Sequence, residues 1–326
     1  MTGPAAPKRA MLSRTADNLY WLGRAMERAD FVARMIEVTQ RLTSLPRLNE
    51  NGTEWESALE ACGVAELYRE HHERVEESSA VAFLTFDRRN PSSIRNCLMS
   101  ARDNGRSVRT ALTVEMWEGI NSAWLELRRF EESRPEGQDE REALQRFLEF
   151  VKMTSIQFDG SAYRTMLRND AYWFSRLGLY VERADNTARI LDVKYHVLLP
   201  DVEAVGGSMD YFQWTAILRA VSAVTAYHWV YRESVRPWLI ADLLILRPEM
   251  PRSLLSCYEN IVLYLDAIGH AYGRQGPAQD LARSMAGRLR DAGIDDIFET
   301  GLHEFITAFI EENNGLAATI AAQFLF

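Results

Sequence analysis

The sequence repeats itself. With an offset of 155, Met11, Leu12, Ala16, Leu22, Gly23, Glu27, Arg28, Ala29, Asp30, Ala33, Arg34 and Val38 recur as Met166, Leu167, Ala171, Leu177, Gly178, Glu182, Arg183, Ala184, Asp185, Ala188, Arg189 and Val193, twelve identities in 28 positions. The densest part is AMERADFVAR (25–34) against YVERADNTAR (180–189), with six of ten residues identical. Farther on, Trp55, Leu59, Ala61 and Tyr68 meet Trp214, Leu218, Ala220 and Tyr227 at an offset of 159, and Pro91, Ser93 and Cys97 meet Pro251, Ser253 and Cys257 at 160. The same order at nearly constant spacing is the mark of two homologous units. A helical unit that cannot cover its apolar face alone covers it with its copy. The expectation is an all-α, pseudo-twofold bundle of two halves, 1–158 and 159–326, packed as one globular unit.

The all-helical reading rests on apolar residues at three- and four-residue spacing, on sparse glycine and proline (18 and 10), and on the rarity of strand-like alternation. Turn-former clusters predict breaks at 44–52, 89–93, 133–138, 158–161, 199–208, 247–251 and 273–277. Pro91 and Pro251, each before a serine and an apolar run, read as first-turn prolines.

On a helix, Gly23, Glu27, Asp30 and Arg34 fall on one narrow stripe, bordered by the apolar face of Leu19, Leu22, Met26, Ala29, Ala33 and Ile36. Arg28 and Arg183 lie about a third of a turn away. Charges at a core boundary must be paired to offset desolvation. Two arrangements satisfy this: a buried salt-bridge network between the two stripes, or an anion- or peptide-binding cleft whose arginines are oriented by carboxylates. The ligand-binding candidates are thus Glu27, Arg28, Asp30, Arg34, Glu182, Arg183, Asp185 and Arg189. Gly23 and Gly178 predict a close approach of another helix or a ligand.

A second basic stripe distinguishes the halves. Arg95, Arg102, Arg106 and Arg109 share a helical face in RNCLMSARDNGRSVRTAL (95–112), where the second half has Leu255, Val262, Asp266 and Gly269. Arg102 and Arg109 have no acidic neighbour three or four positions away on that face, so the stripe calls for carboxylates from elsewhere. Glu27, Asp30 and Glu37 are the expected partners, and Glu115, Trp117 and Asn121 could line the same cleft.

No Walker loop, dinucleotide glycine pattern, nucleophile elbow or HExxH is present. Glu27 and Glu115 are the weak candidates for a catalytic base, an enzyme reading that lacks a nucleophile or metal to name. His71 and His72 are neighbours and point to different helix faces, so neither a metal site nor a cofactor is expected. A net charge of −9 argues against non-specific nucleic-acid binding. No apolar run is long enough to span a membrane, and the basic N-terminus lacks an apolar segment after it, so a cytoplasmic protein is expected. Cys62, Cys97 and Cys257 are far apart in apolar contexts and read as reduced and buried.

MLSRTADNLYWLGRAMERAD (11–30), NPSSIRNCLMSARDNGRSVRTALTVEMWEGIN (90–121) and LGLYVERADNTARILDVKYHVLL (177–199) resemble the Alpha-E family of bacterial all-helical domains. Its Glu-Arg motif maps onto Glu27 and Arg28, and again onto Glu182 and Arg183. The copies differ just before the motif, where Arg24 faces Leu179. The resemblance implies a place beside, or fused to, a circularly permuted ATP-grasp peptide-ligase-like protein, with a transglutaminase-like peptidase as a further partner. The function implied is accessory: a partner in making, tagging or cleaving a peptide.

Overall fold

The computed structural model describes residues 11–44, 54–132, 138–198 and 208–325, and these form helices joined by turns. They are α1 (Ser13–Thr43), α2 (Glu54–Ala61), α3 (Ala65–Arg69), α4 (Glu77–Thr85), α5 (Ile94–Ser107), α6 (Val114–Glu132), α7 (Gln138–Thr165) and α8 (Asp170–Leu198). There follow α9 (Ser208–Ala220), α10 (Val224–Tyr231), α11 (Pro237–Ile245), α12 (Leu254–Tyr272), α13 (Pro277–Asp291), α14 (Ile294–Thr300) and α15 (Leu302–Phe324). Among the described residues there is no strand, and no helix is long and apolar enough to cross a membrane.

The two long helices α1 and α8 form the axis of the bundle. α5 and α7 pack on α1, α12 and α15 on α8, while α2 crosses to α8 and α9 crosses to α1. One continuous apolar cluster runs through all of these, from Ala16 on α1 to Phe324 on α15. At the centre, α1 is buried nearly all round from Leu19 to Thr39, Glu27, Asp30 and Arg34 included. Its charges therefore lie inside the interface, not along its border.

The α1–α8 crossing is possible because of two glycines. A Cβ at Gly178 would run into the Tyr20 carbonyl oxygen and stand 2.8 Å from its carbon. A Cβ at Gly23 would collide with the Ser175 carbonyl oxygen and stand 3.0 Å from the Leu179 nitrogen. Each glycine admits the backbone of the other helix, the close approach that their place on the stripe predicted.

Three predicted breaks, 89–93, 247–251 and 273–277, coincide with the turns before α5, α12 and α13. The break at 158–161 is corrected, since α7 continues through it to Thr165 and the boundary between 158 and 159 falls inside that helix. Buried Phe158 and Ala162 tie this stretch to the core, and packing overrides the turn preference of Asp159 and Gly160. The breaks at 44–52, 133–138 and 199–208 lie almost wholly outside the described residues. The prolines are corrected too. Ser93 and Ser253 are the N-caps of α5 and α12, accepting from the backbone N–H of Asn96 and Ser256, so Pro91 and Pro251 sit in the preceding turns. First-turn prolines occur instead at Pro237 and Pro277.

Candidate functional site

Where α1 and α8 cross, each helix supplies a carboxylate to arginines of the other. Arg183 donates through Nε and Nη2 to Glu27 at 3.2 and 2.9 Å. Arg28 donates through the same two nitrogens to Glu182 at 2.5 and 3.0 Å. Such bidentate forks fix both position and orientation. The next pair is local: Arg34 Nε donates to Asp30 at 2.7 Å and Arg189 Nε to Asp185 at 2.6 Å. The outer nitrogens of these two arginines reach the ends of the crossing helices. Arg34 donates to the Ala220 carbonyl at the end of α9, and Arg189 to the Ala61 carbonyl at the end of α2. A guanidinium there meets unpaired carbonyls at the negative end of the helix dipole.

Both Glu27–Arg28 and Glu182–Arg183 thus belong to the interface. Arg28 and Arg183, read in sequence as facing elsewhere, reach across it because a guanidinium on a long stem spans the offset of its Cα.

Each glutamate also binds a second arginine, and these differ. Glu27 receives Arg252 from the turn before α12, whose Nη1 lies 2.7 Å from Oε1 while Nη2 reaches Asp30 Oδ2 at 2.8 Å. Glu182 receives Arg24 from α1, one turn before Arg28, at 2.7 Å. Burial alone would raise both glutamate carboxyls. Arg183 and Arg252 outweigh it at Glu27, and Arg28 and Arg24 outweigh it at Glu182, holding each at about 2. A carboxyl held there is ionised and already occupied, which unsuits Glu27 for the base role considered from sequence. On the flank of the Glu27 site, Asp159 of α7 binds Arg176 and accepts from Arg183 Nη2 at 3.3 Å.

The two sites differ in one further respect. Beside Glu182 and Asp185 lies a cleft of about 190 Å³, lined by Arg24, Arg28, Arg189, the two carboxylates, Ser92 and Gly63. The Arg28 and Arg189 side chains keep 28% and 23% of their surface exposed, whereas Glu182 keeps 2% and Asp185 11%. Arg28 and Arg189 thus stand at the mouth, and the carboxylates lie deeper with Arg24, which is 11% exposed. Burial raises the Asp185 carboxyl, and Arg189 offsets this only in part. Its Oδ1 is buried and has no hydrogen-bond partner. Cys62 also lines the cleft, with its thiol pushed up to about 12 by burial, so it is no nucleophile at neutral pH.

The basic stripe on α5 goes elsewhere, which corrects its expected union with Glu27, Asp30 and Glu37. Arg95 donates to Glu131 of α6 at 2.8 Å, Arg102 donates to Asn121 at 3.2 Å and lies over the Trp124 ring, and Arg106 is exposed. α5 ends at Ser107, so Arg109 leaves the helical register and lies over Trp117 instead. Glu37 binds Arg41 and Lys152, and Glu115 is exposed. The stripe could face α6 because, beside the one carboxylate that takes Arg95, aromatic rings and an amide oxygen of that helix satisfy Arg102 and Arg109. A search confined to acidic neighbours misses them.

The arginine that sequence reasoning missed is Arg252. Its signal is a mismatch at the offset of 160, where Ser92 stands between the matched Pro91 and Ser93 while Arg252 stands between Pro251 and Ser253.

No curated protein and no solved structure matches the chain. Residues 11–325 match the model of one family, Alpha-E, described as a predicted alpha-helical domain with a conserved ER motif. The match covers both Glu-Arg pairs of the crossing and nearly the whole sequence, and the chain therefore belongs to the Alpha-E family.

Proposed function

We propose that this protein is an accessory, ligand-binding member of a cytoplasmic peptide synthesis or modification system. It holds an anionic or peptide ligand in the cleft beside Glu182 for an ATP-grasp peptide-ligase-like enzyme, with a transglutaminase-like peptidase as a second partner. The partners rest on family membership. The ligand rests on one observation: three arginines outnumber two carboxylates around an open cleft, with Arg28 and Arg189 the most exposed of the five. A planar guanidinium at a half-dry surface suits carboxylate and phosphate groups. Of the candidate residues, Arg28, Glu182, Asp185 and Arg189 belong to this site, joined by Arg24, while Glu27, Asp30, Arg34 and Arg183 act with Arg252 as an internal brace.

The reciprocal pairs across α1 and α8 also support reading the chain as two homologous halves, 1–158 and 159–326, about a pseudo-twofold axis. In that reading the Glu27 site is closed by the chain's own Arg252 and the Glu182 site is kept open.

The test is thermal unfolding of wild type and Ser92→Arg with citrate, phosphate and an N-acetylated acidic peptide, alongside co-elution with the ATP-grasp protein. A ligand that binds only the folded state adds about 2.7 kcal/mol at 100 times its dissociation constant. Stabilisation of wild type but not of the variant supports the cleft. Equal response of both, or of neither, leaves a scaffold whose charges serve only to brace it.

A further inference from the structure

Resting on the reading of the cleft as a ligand site, we infer that it recognises a primary ammonium and a carboxylate together, one amino-acid length apart: the ammonium at the Asp185 floor and the carboxylate between Arg28 and Arg189 at the mouth. The ligand class is a free amino acid or the acidic N-terminal residue of a peptide.

The molecule contains its own reference for the floor. At the Glu27 site, one oxygen of Asp30 receives two guanidinium groups, from Arg34 and from Arg252. At the Glu182 site the equivalent oxygen of Asp185 receives only Arg189, and the aligned position of Arg252 is Ser92, whose side chain is far too short to reach. Both aspartates leave Oδ1 without a partner. Asp185 lines a cleft and stands one donor short of its counterpart. A buried carboxylate in that state attracts a donor, and a cationic donor most.

Charge then decides what else the ligand carries. Three arginines and two carboxylates already leave the cleft with one net positive charge. A simple cation would raise that to two, close to Arg24 and Arg28. A simple anion would answer the mouth and leave Asp185 with Arg189 as its one donor. A zwitterion answers both ends and leaves the net charge unchanged. The cleft's 190 Å³ exceeds the roughly 150 Å³ of an engineered cavity that takes up benzene, room for a ligand of amino-acid size. Its open mouth lets a peptide chain leave beyond that residue.

Isothermal titration calorimetry on the full chain tests this with L-glutamate, N-acetyl-L-glutamate, L-glutamyl-glycinamide and citrate. L-glutamate or the glutamyl peptide should bind, and N-acetylation should weaken binding by at least about tenfold, the loss of one charged hydrogen bond. Tighter binding of the glutamyl peptide assigns the site to a peptide end, and tighter binding of L-glutamate to a free amino acid. Ser92→Arg, which supplies the missing guanidinium from the chain, should abolish both. Asp185→Asn should weaken L-glutamate and leave N-acetyl-L-glutamate unaffected, which keeps the test valid if Ser92→Arg does not fold. Binding of citrate or N-acetyl-L-glutamate as tight as that of L-glutamate overturns the ammonium subsite while the anion cleft stands. If none of the four binds, or if Ser92→Arg folds and binds as wild type does, the cleft itself is refuted.

Discussion

Replacing Gly178 by alanine adds one methyl group where the structure has no room for it. The new Cβ would meet the Tyr20 carbonyl group, which is helix backbone and cannot rotate aside, so α1 and α8 must part. Parting them loosens the Glu27–Arg183 and Glu182–Arg28 forks, which lie across the same crossing. Overpacking of this kind costs about 3 kcal/mol, the upper end of the usual range, because neither backbone can yield locally. Against it stands the gain of about 1 kcal/mol that alanine brings to a helix interior. Gly160 in α7 isolates that gain, since a Cβ there meets nothing within 4 Å. Gly178→Ala should therefore lose about 2 kcal/mol and Gly160→Ala should gain up to about 1. In a chain of this size the two variants should melt about 4 °C apart. Calorimetry or urea unfolding followed by circular dichroism reads the difference. Equal stability of the two variants would refute the claim that direct backbone contact sets the α1–α8 distance.

Further outcomes follow from the charged crossing and its surroundings. Glu182→Gln strands Arg24 and Arg28 in a buried interface and should cost about 3–5 kcal/mol in urea unfolding. Asp185→Asn should cost less than about 1 kcal/mol at neutral pH or stabilise slightly, because burial already opposes that charge in the folded state. The two carboxyls held at about 2 contribute stability that is fully present above the ordinary glutamate value near 4.3 and is lost as pH falls from there towards 2. Asp185, shifted upward, works in the opposite sense: its cost is relieved on acidification, so its asparagine variant should show the steeper acid loss. Ser93→Ala and Ser253→Ala should each cost about 1 kcal/mol by removing a buried cap, measured by the same unfolding curves.

Much of the site was legible in the sequence because a duplicated pattern reports its own constraints. Gly23 and Gly178 announced a close approach, and the repeated Glu, Asp and Arg announced that charges would need partners. The partners themselves were not legible. Arg102 and Arg109 settle on Asn121, Trp124 and Trp117, and Arg28 and Arg183 span the crossing, because a long side chain can serve any group within its reach.

The sequence by itself determined the helical class, the family and the identity of the charges at the heart of the bundle, since periodicity and repetition are local and countable. Only the tertiary structure decided that the Glu27 site closes on Arg252 while the Glu182 site opens beside Ser92. That outcome depends on which turn is carried over which carboxylate, and distance between elements far apart in the chain is set by packing, not by spacing along it.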